Sequence, residues 1–295
     1  MNEENKLKPM FKWSGGKRRE IPLFEKHYPD NFDVFVEPFV GGGAVFFDLN
    51  FEGKNVIADT HDEVINFYKQ CRKQENMQKI KEFLENPWQD LLRSAFAKED
   101  QRGIYDSLPE QFKNHGEATY YFMRDGFRTT NDLKKAAKFY FLRKTAYRGM
   151  LRYNPKGEFN IPWGKYKTVS MSEMEDERYS ELLSRTEIKC QSFEDTFKKY
   201  GHREDAFIFL DPPYDSEFSD YKTGLGKEEQ KKLSECFRDA KAKCLMVIGK
   251  TDFICSLYSD YIVEEYHKNY AFRLHSNRIE SEDIDNLHLV IKNYK

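Results

Sequence analysis

Asp33-Val34-Phe35-Val36-Glu37-Pro38-Phe39-Val40-Gly41-Gly42-Gly43 decides the fold. A short β-rich run stops at a proline and three glycines, after which Ala44, Val45, Phe46, Phe47 and Leu49 continue with helical character. That is strand, glycine turn, helix. Asn55-Val56-Ile57-Ala58-Asp59 reads as a second buried strand, followed by Val64, Ile65, Tyr68 and Cys71 at helical spacing behind an acid-rich start that suits a helix dipole. From about residue 75 to 144 the pattern is helical and polar, with Ile80, Phe83 and Leu84 on one face and Ala136, Ala137, Tyr140 and Phe141 on another. Strand character returns at 187–190, 206–210 and 244–248, with Leu233, Cys236, Phe237 and Ala240 as a helix face between the last two. Ala206-Phe207-Ile208-Phe209-Leu210 is apolar throughout, as a central parallel strand buried on both faces must be. Residues 261–266 and 287–291 look like two strands with no helix between them. The expected fold is a doubly wound α/β sheet with an antiparallel C-terminal hairpin, interrupted by a helical, basic insertion from roughly residue 70 to 180.

Composition narrows the function classes. With 295 residues, 39% hydrophobic and 33% charged, and no run of eighteen apolar residues, a disordered or membrane-spanning chain is excluded and a large core is expected. Residues 1–10 are short and polar, without the apolar core of a secretory signal, so an intracellular, cytoplasmic protein is expected. Five cysteines (Cys71, Cys190, Cys236, Cys244, Cys255) form no C-x-x-C pair, which argues against a disulfide framework or a zinc site and for buried thiols; no metal is expected. The formal charge of -2 conceals an asymmetry: residues 134–167 hold ten Lys and Arg against one acid, Glu158. Tyr147, Met150, Tyr153, Phe159 and Trp163 lie among those charges, a mixture suited to phosphates and base faces. A solvated basic face over core aromatics has the same composition.

Two motifs carry chemistry. The glycine turn after the first strand and Asp59 at the end of the second, eighteen residues beyond Gly41, match a nucleotide site in which the turn approaches the ligand and the acid accepts from ribose hydroxyls. Phe46 stands where the third glycine of the dinucleotide fingerprint belongs, which favours an adenosine-bearing ligand without a pyrophosphate. A plain turn followed by a helix cap would also produce these residues. Ser14-Gly15-Gly16-Lys17 is no P-loop, since Phe11 and Arg18 break that pattern, and by composition it is only a loop. Asp211-Pro212-Pro213-Tyr214 closes the central strand. Its prolines give up their N–H groups and leave carbonyl acceptors beside a carboxylate and an aromatic ring, which suits an amino group on a planar base. As a bare tetrapeptide it is equally an ordinary turn.

Taken in order, Phe11-Lys12-Trp13-Ser14-Gly15-Gly16-Lys17, Glu37 to Gly43, Asp59 and Asp211-Pro212-Pro213-Tyr214 resemble the Dam-type DNA adenine-N6 methyltransferases of bacteria and phages, the D12 class. The segment 152–167, Arg-Tyr-Asn-Pro-Lys-Gly-Glu-Phe-Asn-Ile-Pro-Trp-Gly-Lys-Tyr-Lys, resembles that family's DNA-contacting hairpin. The resemblance spans nearly the whole chain. It implies a Rossmann-like methyltransferase sheet in residues 1–70 and 181–295, and a target-recognition domain in 71–180. It further implies methyl transfer from S-adenosylmethionine to N6 of an adenine flipped from double-stranded DNA within GATC, in a bacterial or phage host. Neither a membrane nor an obligate protein partner is implied. Carried over by position, Asp211, Pro212 and Tyr214 are catalytic. Trp13, Lys17, Glu37, Phe39, Gly41, Gly43, Asp59, Phe193 and Asp211 bind the cofactor. Lys12, Tyr147, Arg148, Met150, Arg152, Asn154, Pro162 and Tyr166 face DNA, with Arg152 reading a guanine and Lys12 an outer guanine. Arg148 and Gly149 depart from the bacterial Asn-Gly turn, and Asn286 stands where bacterial members have an acid, which bears on the recognition sequence. Two competing readings are a catalytically decayed DNA-binding regulator and a methyltransferase acting on another amino acceptor.

Overall fold

A computed structural model describes residues 6–85, 115–166, 169–213, 225–268 and 287–295. The chain divides into two compact units, one of residues 1–8, 17–60 and 187–295, the other of residues 9–16 and 61–186.

The first unit is built on a seven-stranded sheet: β1 (Val34–Glu37), β2 (Lys54–Asp59), β3 (Thr186–Cys190), β4 (Ala206–Leu210), β5 (Lys243–Gly249), β6 (Ile262–His267) and β7 (Leu287–Lys292). Their order is β3-β2-β1-β4-β5-β7-β6. β1 pairs parallel with β2 and β4, and β4 with β5, while β7 runs antiparallel to both β5 and β6. The chain steps outward from β1 to β2 and β3, then returns to the other side of β1 with β4. This is the doubly wound α/β arrangement expected, with its switch point between β1 and β4. The antiparallel pair closes one edge as anticipated, although the residues joining β6 to β7 lie outside the described ones.

Sequence explains the layering. β1 and β4 are buried at every position, and apart from Glu37 at the end of β1 every side chain in them is apolar, as burial on both faces favours. Val36, Val56, Ile208, Met246, Ile248 and Leu289 pack into one core with Phe193, Phe197, Leu233 and Phe237 from the helices Phe193–Tyr200 and Lys227–Asp239. The cysteine expectation needs correction. Cys71 and Cys244 are buried, with thiol pKa values pushed up by burial, but Cys190 is exposed because β3 is an edge strand whose last two residues face solvent.

The second unit is helical, with Asp62–Gln70, Gln74–Glu85, His115–Tyr121, Asp132–Thr145 and Glu177–Ser184. Phe67 stacks on Tyr140 with ring centroids 5.5 Å apart, joining two of these helices. A smaller core of Tyr120, Leu142, Ala146 and Ile161 carries Met150, Phe159 and Trp163 against it. No helix among the described residues is long and apolar enough to cross a membrane.

Candidate active site and nucleic-acid interface

At a switch point the carboxyl ends of two neighbouring strands diverge and leave a crevice for a ligand. Here those ends are Glu37 of β1 and Asp211, the residue after β4. The glycine turn that leaves β1 has left-handed backbone at Gly41 (φ 43°) and Gly43 (φ 66°), conformations that a Cβ disfavours. Its Gly41 N–H donates to Asp59 Oδ2 at 2.9 Å, so the acid ending β2 is aimed at the turn. Phe46 N–H donates to Glu37 Oε2 at 3.0 Å, tying the acid of β1 to the first turn of the next helix. Phe39 packs on Phe193, the buried first residue of its helix, with centroids 5.7 Å apart.

Carboxylates dominate this edge. Burial, with the nearby charges of Asp211 and Asp59, pushes the Glu37 carboxyl well above the usual range. Asp211 is also raised by burial, but Lys17 opposes the shift, its Nζ donating to Asp211 Oδ1 at 2.5 Å. Lys17 is 1% exposed while the Asp211 side chain keeps 22%, so the cation is buried and the carboxylate retains an accessible face. Gln230 Nε2 donates to the Pro213 carbonyl at 3.3 Å and fixes the end of the turn. Tyr214 lies outside the described residues.

Sequence reasoning missed what stands behind Lys17. Glu20 is buried and accepts from Tyr266 Oη at 2.9 Å, with Lys268 Nζ and His288 Nδ1 each 2.8 Å from its carboxylate. Burial alone would raise Glu20, yet His288, Lys17 and Lys268 outweigh it and hold the carboxyl down to about 2. Burial depresses His288, with Glu20 opposing. Two carboxylates and two lysines therefore alternate at the sheet edge. Partners 246 positions apart leave no spacing signal to read.

In the second unit, Ala146 bridges Trp163 and Tyr153 bridges Phe159, making a short antiparallel arm. Asn154 shapes its tip: Oδ1 accepts from Lys156 N–H (3.0 Å) and Glu158 N–H (2.9 Å), and Nδ2 donates to Glu158 Oε2. Tyr147, Arg148, Arg152 and Pro162 are exposed and Met150 is half-buried. Arg152 Nε donates to Asn160 Oδ1 at 2.9 Å, and the Arg148 guanidinium lies 5.0 Å from the Tyr147 ring centroid. Exposed Lys12 donates to Tyr166 Oη at 3.2 Å, and half-buried Trp13 meets His61 edge-on at 5.7 Å.

The basic run sorts into two classes that a charge count cannot separate. Lys144 pairs with Glu173 at 3.1 Å, Lys138 donates to the Phe127 carbonyl at 3.0 Å, and Arg143 is buried. Arg148, Arg152, Lys156 and Lys165, all on the arm, remain exposed.

A family model described as D12 class N6 adenine-specific DNA methyltransferase matches residues 13–273. The chain belongs to this family. It is an adenine-specific DNA methyltransferase of the D12 class, and its mixed seven-stranded sheet is the α/β fold such an enzyme needs. It is 42% identical over 293 residues to the type II methyltransferase M.CviBI of Paramecium bursaria Chlorella virus NC1A, covering 98% of this chain and 100% of the relative. Identity to the type II methyltransferase M.MjaIII of Methanocaldococcus jannaschii is 32% over 282 residues, 88% of this D12 chain and 90% of the relative. A DNA adenine methylase of Vibrio cholerae is 30% identical over 213 residues, 71% and 66% of the two chains.

Proposed function

We propose that this chain is a site-specific adenine methyltransferase (EC 2.1.1.72) that uses S-adenosylmethionine and acts on an adenine flipped out of duplex GATC. The observation that carries this reading is Asp211, set beside a proline carbonyl at the end of β4 and held by Lys17 at 2.5 Å. The donor set fits the cofactor. An edge lined by Glu37, Asp59 and Asp211 suits a ligand with an ammonium, a sulfonium and ribose hydroxyls, and the left-handed Gly41 and Gly43 admit close approach of a ligand. Lys17, Glu37, Phe39, Gly41, Gly43, Asp59 and Phe193 would hold it, with Trp13 bordering it.

S-adenosylmethionine, when bound, supplies a methyl group already activated by its positive sulfur. The chain's remaining task is positioning, which can contribute about 7 to 11 kcal/mol. The N6 lone pair of adenine is delocalised into the ring. Asp211 and the Pro212 carbonyl accept both N6 hydrogens, which draws the nitrogen toward tetrahedral geometry and frees the lone pair. Burial raises the proton affinity of Asp211, so it can also take the proton that N6 must lose. Lys17 fixes one carboxylate oxygen and leaves the other for the base. Tyr214 stacks on the extruded ring, whose removal from the duplex costs a few kcal/mol.

In this reading the sheet-bearing unit carries methyl transfer and the helical unit reads the target. Tyr147 braces the vacated stack, Arg152 and Lys12 read guanines, and Met150 and Pro162 touch neighbouring bases. Arg148, Asn154 and Tyr166 complete the DNA-facing set. The test is methylation of a random-sequence duplex library with labelled cofactor and mapping of the modified bases. Modified adenines confined to GATC are expected; methyl groups on cytosine, or no transfer, would overturn the proposal.

A further inference from the structure

Arg143 is a fully buried guanidinium, 1% exposed, in the last turn of the helix Asp132–Thr145. Its four hydrogen bonds all go to backbone carbonyls. Nε and Nη2 donate to Lys12 O at 3.2 and 2.6 Å, Nη2 also to Gly149 O at 2.7 Å, and Nη1 to Met150 O at 2.8 Å. No carboxylate among the described residues forms an ion pair with it, and burial brings its pKa down to about 10 against weak opposition from Tyr153, Tyr120 and Glu63. The Trp13 ring lies 5.1 Å from the guanidinium carbon. A buried cation without a counter-anion is costly, and an apolar side chain would fill the same space at lower cost. The cation must therefore secure something that packing alone does not.

What it secures is a junction between two stretches far apart in sequence. One is the backbone at Lys12. The other is the turn at the root of the basic arm, where Arg148 (φ 53°) and Gly149 (φ 65°) are left-handed. The approach is tight: a Cβ at Gly149 would stand 2.7 Å from Lys12 Cβ. A planar fork with donors on three nitrogens fixes direction as well as distance, which a point charge cannot do.

We infer that Arg143 is a specificity-positioning residue, which touches no base and locks the Lys12 backbone in register with the turn at 147–150, so that the base read by Lys12 and those read from the arm form one word. The inference rests on the proposed reading in which Lys12 contacts a base. Loosening the lock lets Lys12 drift relative to the arm, and discrimination is then lost at one base pair. A purely structural role would instead weaken methylation of every site alike.

The test measures kcat/KM for the full chain on the preferred duplex and on each single-base variant of it, for Lys12→Ala, Arg143→Lys, Arg143→Met and Gly149→Ala. Lys12→Ala identifies the base pair it reads. Arg143→Lys keeps the charge without the fork, and Gly149→Ala pushes directly on the Lys12 side chain, so both remain informative where Arg143→Met fails to fold. The expected result is a roughly tenfold loss of preference at the Lys12 base pair in the Arg143 and Gly149 variants, with preference elsewhere retained. Equal loss at every position, or no change in preference in the Arg143 variants while Lys12→Ala relaxes one position, would overturn the inference alone. Unchanged preference in Lys12→Ala would remove the base-reading role of Lys12 and the inference with it.

Discussion

Lys17 and Arg143 are buried cations of equal exposure, 1% each, in the two units of the chain, and they are compensated by different chemistry. Lys17 lies on Asp211, with Glu20, Lys268 and His288 behind it, so neighbouring charges set protonation at the sheet edge. Arg143 lies on the carbonyls of Lys12, Gly149 and Met150, so it sets the path of the backbone. An ion-paired cation controls chemistry, whereas a cation solvated by carbonyls controls shape. In the proposed reading, the first lies where a proton and a methyl group move and the second where a base sequence is read.

The largest effect expected at the edge follows loss of its acceptor: Asp211→Ala lowers kcat by about a thousandfold or more, read as labelled methyl transfer at saturating duplex. Lys17→Met removes the cation that opposes the upward shift of Asp211, so the acid limb of the kcat profile moves up by about 1 to 3 pH units. An unmoved limb would separate Lys17 from the protonation of Asp211. Glu20 tests the same network through stability. Its depressed carboxyl contributes on the order of 3 kcal/mol above its unfolded value near pH 4, and that contribution is lost as pH falls toward about 2. His288 has the same sign, its contribution fading below about pH 6.5. Urea melts of Glu20→Gln should therefore show a deficit at neutral pH that shrinks on acidification.

On the other side of the comparison, Arg152→Ala should relax discrimination at one base pair by roughly 1 to 3 kcal/mol; uniform loss across single-base variants would remove it from base reading. The smallest effect concerns Glu37. Raised by burial and by Asp211 and Asp59, it favours its protonated form, and a cationic ligand releases that proton. Binding of S-adenosylmethionine should tighten with pH by at most about tenfold per unit, and Glu37→Gln should flatten that slope in calorimetry.

The sheet was legible because β1, β4 and β5 are short apolar runs bounded by Gly, Pro or Asp, and burial on both faces requires that composition. The placement of Asp211 at the edge was legible because its motif ends a strand. Glu20, Lys268 and His288 were not, because their association depends on the fold alone. Arg143 could have been found: Ala136, Phe139, Tyr140 and Arg143 follow helical spacing and all are buried, so the arginine falls on the apolar face of its helix. Counting charge along 134–167 hid it among solvated lysines.

Single-turnover methyl transfer, measured in parallel for Asp211→Ala and Arg143→Met on a mixture of GATC and single-base variant duplexes, tests this division of labour most directly. The account predicts that Asp211→Ala binds duplex but transfers about a thousandfold or more slower, while Arg143→Met spreads its methyl groups onto sites that differ at one position. Normal transfer by Asp211→Ala, or an even decline across all duplexes in an Arg143→Met that melts as the parent does, would contradict it.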